Sequence, residues 1–166
     1  LTACNRRTRL DDTVELCARE AYDALATSHA QVSVVGLSMG GALAIRVVCE
    51  ADRAPSALVL IAPYLELTVT ARAWTTMWPI WSLWRAWVPG DPVASIHDPE
   101  ARHRSLGYGG ATPRLLRELR RVVEWGTAMA GRVTPPTLAI CSTGDYRVSP
   151  EGARRTFAAV GAANKA

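Results

Sequence analysis

One lysine, Lys165, stands against 18 arginines in this sequence, and basic and acidic residues are interleaved to a net charge of only +4 over 166 residues. Arg114, Arg117, Arg120 and Arg121 form a stripe, but a solvent-facing helix edge explains it, so no nucleic-acid partner is implied. The four cysteines, Cys4, Cys17, Cys49 and Cys141, form no C-x-x-C pair and have no metal-ligand spacing, and no metal is called for. Cys49 and Cys141 lie in apolar contexts and are expected to be buried thiols. The most aromatic stretch is too short and too interrupted by proline to cross a bilayer, which excludes a stable membrane span there. Residue 1 is Leu rather than Met and no charged-then-apolar segment opens the chain, so targeting is not read from this end and the compartment is left open, with the cytoplasm favoured. With 49% hydrophobic and 20% charged residues, the chain suits one globular domain with a sizeable core.

The most informative stretch runs from Gln31 to Ala44. Gln31-Val32-Ser33-Val34-Val35 is short and β-branched, the pattern of a strand covered on both faces of a parallel sheet. Gly36-Leu37-Ser38-Met39-Gly40-Gly41 follows and matches G-x-S-x-G, a strained strand-to-helix turn that lifts a serine hydroxyl above the carboxyl end of a sheet. Gly36 and Gly40 are expected to let strand and helix approach closely around Ser38. An Ala-rich helix then begins, and the Met39 amide at its N-terminus is a candidate oxyanion donor. The five-residue pattern also occurs as an ordinary βα turn with a bystander serine. The strand before it and the helix after it favour the catalytic reading.

Elsewhere the chain alternates helix and strand. Asp12 with Glu15 opens a helix that runs to about Thr27, with Val14, Cys17, Ala18, Ala21, Tyr22 and Leu25 on its apolar face. Ala57 to Ala62 is a second buried strand, and Thr137 to Cys141 a third. Between them, from Tyr64 to Arg132, lies a helical insertion. Trp74, Trp78, Trp81, Trp84 and Trp87 fall within fourteen residues of it, and Thr112-Pro113 opens its last helix. These tryptophans either pack the insertion or, Trp74, Trp78 and Trp81 above all, wall an apolar substrate pocket that touches a lipid surface. Ser149-Pro150-Glu151 opens a final helix. Asp145 precedes it, at the carboxyl end of the third strand. Ligands in open α/β sheets gather on that edge, although an aspartate there also caps turns.

Three stretches together resemble the α/β-hydrolase superfamily, closest to its capped esterase, monoglyceride-lipase and serine-aminopeptidase-like members. They are Gly36 to Gly41, Leu58 to Pro63, and Pro136-Thr137-Leu138 leading to Gly144-Asp145 with Val148. The resemblance implies an α/β class chain with a partial α/β-hydrolase fold, a core of residues 1–63 and 133–166, and a helical cap over 64–132. It also implies a nucleophile at Ser38, an acid at Asp145, no cofactor, and an ester or lipid-like small-molecule substrate. Such an enzyme needs a histidine after the acid, and none follows Asp145: His29 ends a helix, while His97 and His103 fall in the insertion. The expectation is a fragment, nearly inactive by itself, whose imidazole and second oxyanion donor lie outside it. The rival is a non-catalytic module of the same fold that binds an apolar ligand under its Trp-rich cap.

Overall fold

The apolar runs form a parallel sheet. A computed structural model describes residues 13–67, 69–84, 87–89, 98–104, 110–145 and 148–166. In chain order the elements are α1 (Thr13–Ser28), β1 (Val34–Leu37), α2 (Met39–Glu50), β2 (Leu58–Ile61), α3 (Val69–Thr76), α4 (Trp78–Trp81), β3 (Val88–Pro89), α5 (Pro99–Arg104), β4 (Gly110–Ala111), α6 (Pro113–Met129), β5 (Thr137–Ile140) and α7 (Pro150–Ala158). The main sheet has the order β1-β2-β5, all parallel. β3 and β4 are a separate antiparallel pair within a segment that the sequence reads as helical.

The chain divides into two compact units, residues 1–66 with 122–166 and residues 67–121. In the first, Leu58 and Leu60 on one face of β2 are fully buried with Ala42, Ile45 and Val48 of α2 and with Ala130, Val133, Val160 and Ala162. A Cβ on Gly126 of α6 would lie 2.9 Å from Ala42, so that helix lies close on α2. The other sheet face departs from the expected double coverage. Val35 and Leu138 flank Val59 in register, Leu37 and Ile140 flank Ile61, and all four flanking residues are exposed. Because side chains alternate along a strand, helices on one side bury only every second residue. A continuous apolar run signals strand, but not which face is covered.

Local chemistry sets the helix ends. The Asp12 cap falls outside the described residues. At the other end of α1 the Arg53 guanidinium donates to the carbonyls of Ala26, His29 and Ala30, and Tyr22 returns its hydroxyl to the Arg53 carbonyl at 2.7 Å. One orphan carbonyl of the last turn, that of Ala26, is thereby paired, together with the two carbonyls that follow the helix. Ser149 caps α7 as its sequence predicts, its Oγ accepting from Gly152 N at 3.0 Å with Pro150 at the first helical position. The lone lysine closes the same helix, Lys165 Nζ donating to the carbonyls of Ala158 and Val160. Beyond it, Ala139 N donates to Ala166 O at 2.8 Å and Thr137 bridges Lys165 in parallel, so the last residues pair with β5. Cys17 is disulfide-bonded.

Arg46 joins three helices of the first unit. Its guanidinium pairs with Glu15 of α1 and Glu50 of α2 and lies 3.6 Å from the centroid of the Trp125 ring on α6. A planar cation stacks on that face where an ammonium does not. Arg46→Lys is therefore expected to lower stability by about 1 kcal/mol despite the retained charge, and Arg46→Ala by about 2 kcal/mol. Urea titration read by circular dichroism measures both.

The second unit is built around α3 and α4. Trp74 and Trp81 meet edge to face at 5.5 Å, and Trp81 Nε1 donates to the Trp74 carbonyl at 2.9 Å. Thr112 accepts the Leu115 amide at 3.2 Å, which opens α6 where Thr112-Pro113 predicts. Arg117 and Arg121 of the arginine stripe pair with Glu118. Leu115, in the first turn of α6, is exposed.

Candidate functional site

The turn after β1 is held by backbone bonds from three directions. The Ser38 amide donates to the Ile61 carbonyl of β2, and the Ser38 carbonyl accepts from both Gly41 and Tyr64, each at 2.9 Å. Within these constraints Ser38 adopts φ 53° and ψ −124°, a left-handed conformation that a residue with a Cβ rarely takes. It stands at the N-cap position of α2, yet its hydroxyl makes no capping bond, and the residue is exposed. The Oγ is thus presented outward. Met39 opens α2, and as a first-turn residue its N–H has no partner within the helix.

The glycines around Ser38 differ. A Cβ on Gly36 would lie 2.5 Å from the Gly40 carbonyl oxygen, and one on Gly41 would lie 2.7 Å from Pro63 Cβ. At Gly40 a Cβ would meet nothing within 4 Å. The close approach expected of Gly36 and Gly40 is made by Gly36 and Gly41 instead, because the outgoing helix turns its second glycine, not its first, toward β2.

The register defines the rim. Leu37, Ile61 and Ile140 are aligned, so Ser38, Ala62 and Cys141 emerge in one row at the carboxyl ends of β1, β2 and β5. Ala62 is also left-handed, at φ 42°, and among the described residues it and Ser38 are the non-glycine residues with positive φ. Strain of this kind collects at functional sites. No signal in the sequence marked Ala62, since a residue before proline usually reads as extended. Its amide donates to Ile140 O, and two residues on Tyr64 donates to Ser38, so this corner ties the ends of β5 and β1 together.

Asp145 lies in the loop that leaves β5, and it is half-buried. Its Oδ1 accepts the Val148 amide at 3.0 Å, and its own amide donates to Ser142 O at 3.4 Å. The carboxylate therefore caps its loop, as the plainer reading expects. β1 and β5 are separated by one strand, which puts their ends roughly 10 Å apart on the same edge. Of the histidines, His29 follows α1, its Nδ1 2.8 Å from Ser28 Oγ and 3.2 Å from Leu25 O. His103 is exposed on α5, and His97 lies outside the described residues.

Cys141, expected to be buried, is exposed at the end of β5, while Cys49 is half-buried on α2. Partial desolvation pushes the Cys141 thiol up, Arg154 pulls it down, and Asp145 pushes it up again. The thiolate is the reactive form, so exposure does not make this cysteine reactive. Iodoacetamide labelling of Cys141 near pH 7.5 is expected to run several-fold slower than that of free cysteine and to rise steeply above pH 9, as followed by peptide mass spectrometry.

Of the candidate apolar wall, Trp74 and Trp81 line a cavity of about 290 Å³ with Ala73, Met77 and Ile80 in the second unit. Trp78 begins α4, and its side chain lies outside the described residues. Among the described residues no cluster of His, Cys, Asp and Glu could hold a metal ion.

A family model described as serine aminopeptidase, S33, matches residues 8–166. The chain belongs to that family, within the α/β-hydrolase superfamily. No curated protein matches this S33 chain. Among solved structures it is similar to one from the work on LipS and LipT, metagenome-derived lipolytic enzymes, with a TM-score of 0.73 and 21% identity over 91% of this chain and 58% of that one. It is also similar to a Paleococcus ferrophilus monoacylglycerol lipase, with a TM-score of 0.68 and 20% identity over 91% of this chain and 63% of the lipase. A soluble variant of Saccharomyces cerevisiae monoglyceride lipase, bound to a substrate analogue, gives a TM-score of 0.63 and 14% identity over 92% and 56% of the two chains. This S33 chain thus spans 56% to 63% of the length of these three relatives and has a partial α/β-hydrolase fold.

Proposed function

We propose that the complete protein is a serine hydrolase of carboxylic esters bearing an apolar acyl or alcohol group, and that Ser38 forms the acyl-enzyme. The observation that carries this reading is the Ser38 backbone, left-handed and exposed, with its hydroxyl uncommitted to the helix behind it. A bystander serine in a βα turn has no need of that conformation. In the proposed reaction Ser38 Oγ attacks the ester carbonyl carbon while its proton passes to an imidazole. The carbonyl oxygen gains charge beside the Met39 N–H and the positive end of α2. The intermediate collapses and expels the alcohol, which takes the proton back. Water then repeats the sequence on the acyl-enzyme.

Asp145 is assigned the orientation of the imidazole and the stabilisation of its charged form. The imidazole itself is assigned outside these 166 residues, because none of His29, His97 and His103 follows Asp145 in the chain. The 166 residues alone are accordingly nearly inactive in this proposal. The unit of residues 67–121 is read as the cap, and its cavity at Trp74 and Trp81 as the place for the apolar group. The lipolytic and monoacylglycerol lipase activities named for two of the similar structures agree with that choice.

The test is a fluorophosphonate probe on the full-length protein, followed by turnover of p-nitrophenyl esters from acetate to dodecanoate and of aminoacyl p-nitroanilides. The expected result is an adduct on Ser38 and a kcat/KM that rises with acyl length. Faster turnover of the nitroanilides would replace the ester by a peptide substrate while keeping the nucleophile. The cavity alone would equally serve a non-catalytic module, and that reading predicts ligand binding with no adduct at Ser38.

A further inference from the structure

Five of the six tryptophans, and the whole of the net charge, lie between residues 67 and 121. This segment has eight arginines against four acidic residues, a net +4 equal to that of the entire chain, while the remaining residues balance at eleven against eleven. Several of its large apolar side chains face solvent. Val69, Met77 and Ile80 are exposed, and Leu83 and Trp84 are 75% and 76% exposed. On α3, Val69 and Ala73 share one face, Met77 follows directly after the helix, and Ile80, Leu83 and Trp84 follow along α4 and its end. Exposed apolar surface concentrated in this way marks an interaction site.

The cations stand beside this surface. Arg72 is exposed on α3 itself, and Arg120 of α6 donates Nη1 to Thr76 Oγ1 at 3.0 Å, next to Met77. Leucine, isoleucine and methionine beside tryptophan and arginine match the two layers of an anionic bilayer surface. Apolar side chains enter the acyl boundary, while indole and guanidinium groups sit among the headgroups. Among the described residues no helix is long and apolar enough to cross a membrane, so the attachment would be peripheral. We propose that the unit of residues 67–121 docks on an anionic lipid surface, with Leu83 and Trp84 entering the boundary between headgroups and acyl chains. The proposal does not depend on Ser38 being a nucleophile.

Flotation of the full-length protein with vesicles of phosphatidylcholine alone, and with a quarter phosphatidylglycerol, tests it. Partitioning to the anionic vesicles is expected to be at least tenfold stronger than to the neutral ones and to fall steeply in 0.5 M salt, since a basic residue near a charged surface contributes about fivefold. Leu83→Glu with Trp84→Glu is expected to weaken it by at least a further tenfold. Both positions are exposed, and far-UV circular dichroism checks that the variant folds. The comparison of lipids and salt uses the unaltered protein and stands whatever the variant does. Absence of partitioning, equal partitioning to both vesicles, or retention of binding by a folded variant each overturns the proposal. So does lipid-free self-association that the variant abolishes, because the surface would then serve a second copy of the chain.

Discussion

Ser38→Gly in the full-length protein is expected to lower kcat/KM for a p-nitrophenyl ester by about 10⁴-fold or more and, at the same time, to raise the melting temperature. The first effect follows from removing the proposed nucleophile, which leaves only binding and oxyanion stabilisation. The second follows from the backbone. Holding a serine at φ 53° costs about 1–3 kcal/mol, and glycine adopts the same conformation freely. Against this, glycine loses about 0.5–1 kcal/mol more conformational entropy on folding. The net gain is roughly 0.5–2 kcal/mol, or a few degrees for a chain of this size. Ser38→Ala separates the two, since it removes the hydroxyl and keeps the Cβ, and so should lose the activity without the gain. Ser38→Gly less stable than the parent would mean that the turn stores no strain. Activity surviving in Ser38→Ala would remove Ser38 from the chemistry.

Much of this turn is legible in the amino-acid sequence, and the misreadings have physical causes. The strand before Ser38 reads as Gln31 to Val35, because β-branched residues and the first glycine suggest those bounds. In the structure β1 is Val34–Leu37, since pairing with Leu58 to Ile61 continues through Gly36 up to the turn itself. Helical spacing finds α1, the elbow context finds α2, and Thr112-Pro113 and Ser149-Pro150 fix the starts of α6 and α7 by capping chemistry. Leu138 and Ile140 are misread as buried because nothing among the described residues covers their face of the sheet, and Cys141 because it lies just past the end of β5, at the rim. Whether an apolar strand residue is covered depends on what packs across that face, and its neighbours in sequence carry no record of it. Ala62 was invisible for a similar reason. Its left-handed turn is imposed by bonds to Ile140 and, through Tyr64, to Ser38, which are long-range partners.

The rim can also be probed where no functional group is altered. Gly36→Ala is expected to destabilise the protein by about 3 kcal/mol or more, at the upper end for overpacking, whereas Gly40→Ala should change stability by less than about 0.5 kcal/mol. The new Cβ at position 36 would lie 2.5 Å from the Gly40 carbonyl oxygen, 2.7 Å from Gly41 Cα and 2.8 Å from Ala44 Cβ. Two of these are backbone atoms of the first turn of α2, and the third is a Cβ that moves only with its helix. Relief therefore requires α2 to withdraw from β1. That movement would pull the Gly41 amide from the Ser38 carbonyl and loosen the packing of Ala42, Ile45 and Val48 on Leu58 and Leu60. Position 40 faces open space, so its methyl group needs no such movement. Equilibrium urea unfolding of the two variants gives both values. Equal losses at 36 and 40 would show that backbone conformation, not the approach of α2 to β1, is what glycine provides in this turn.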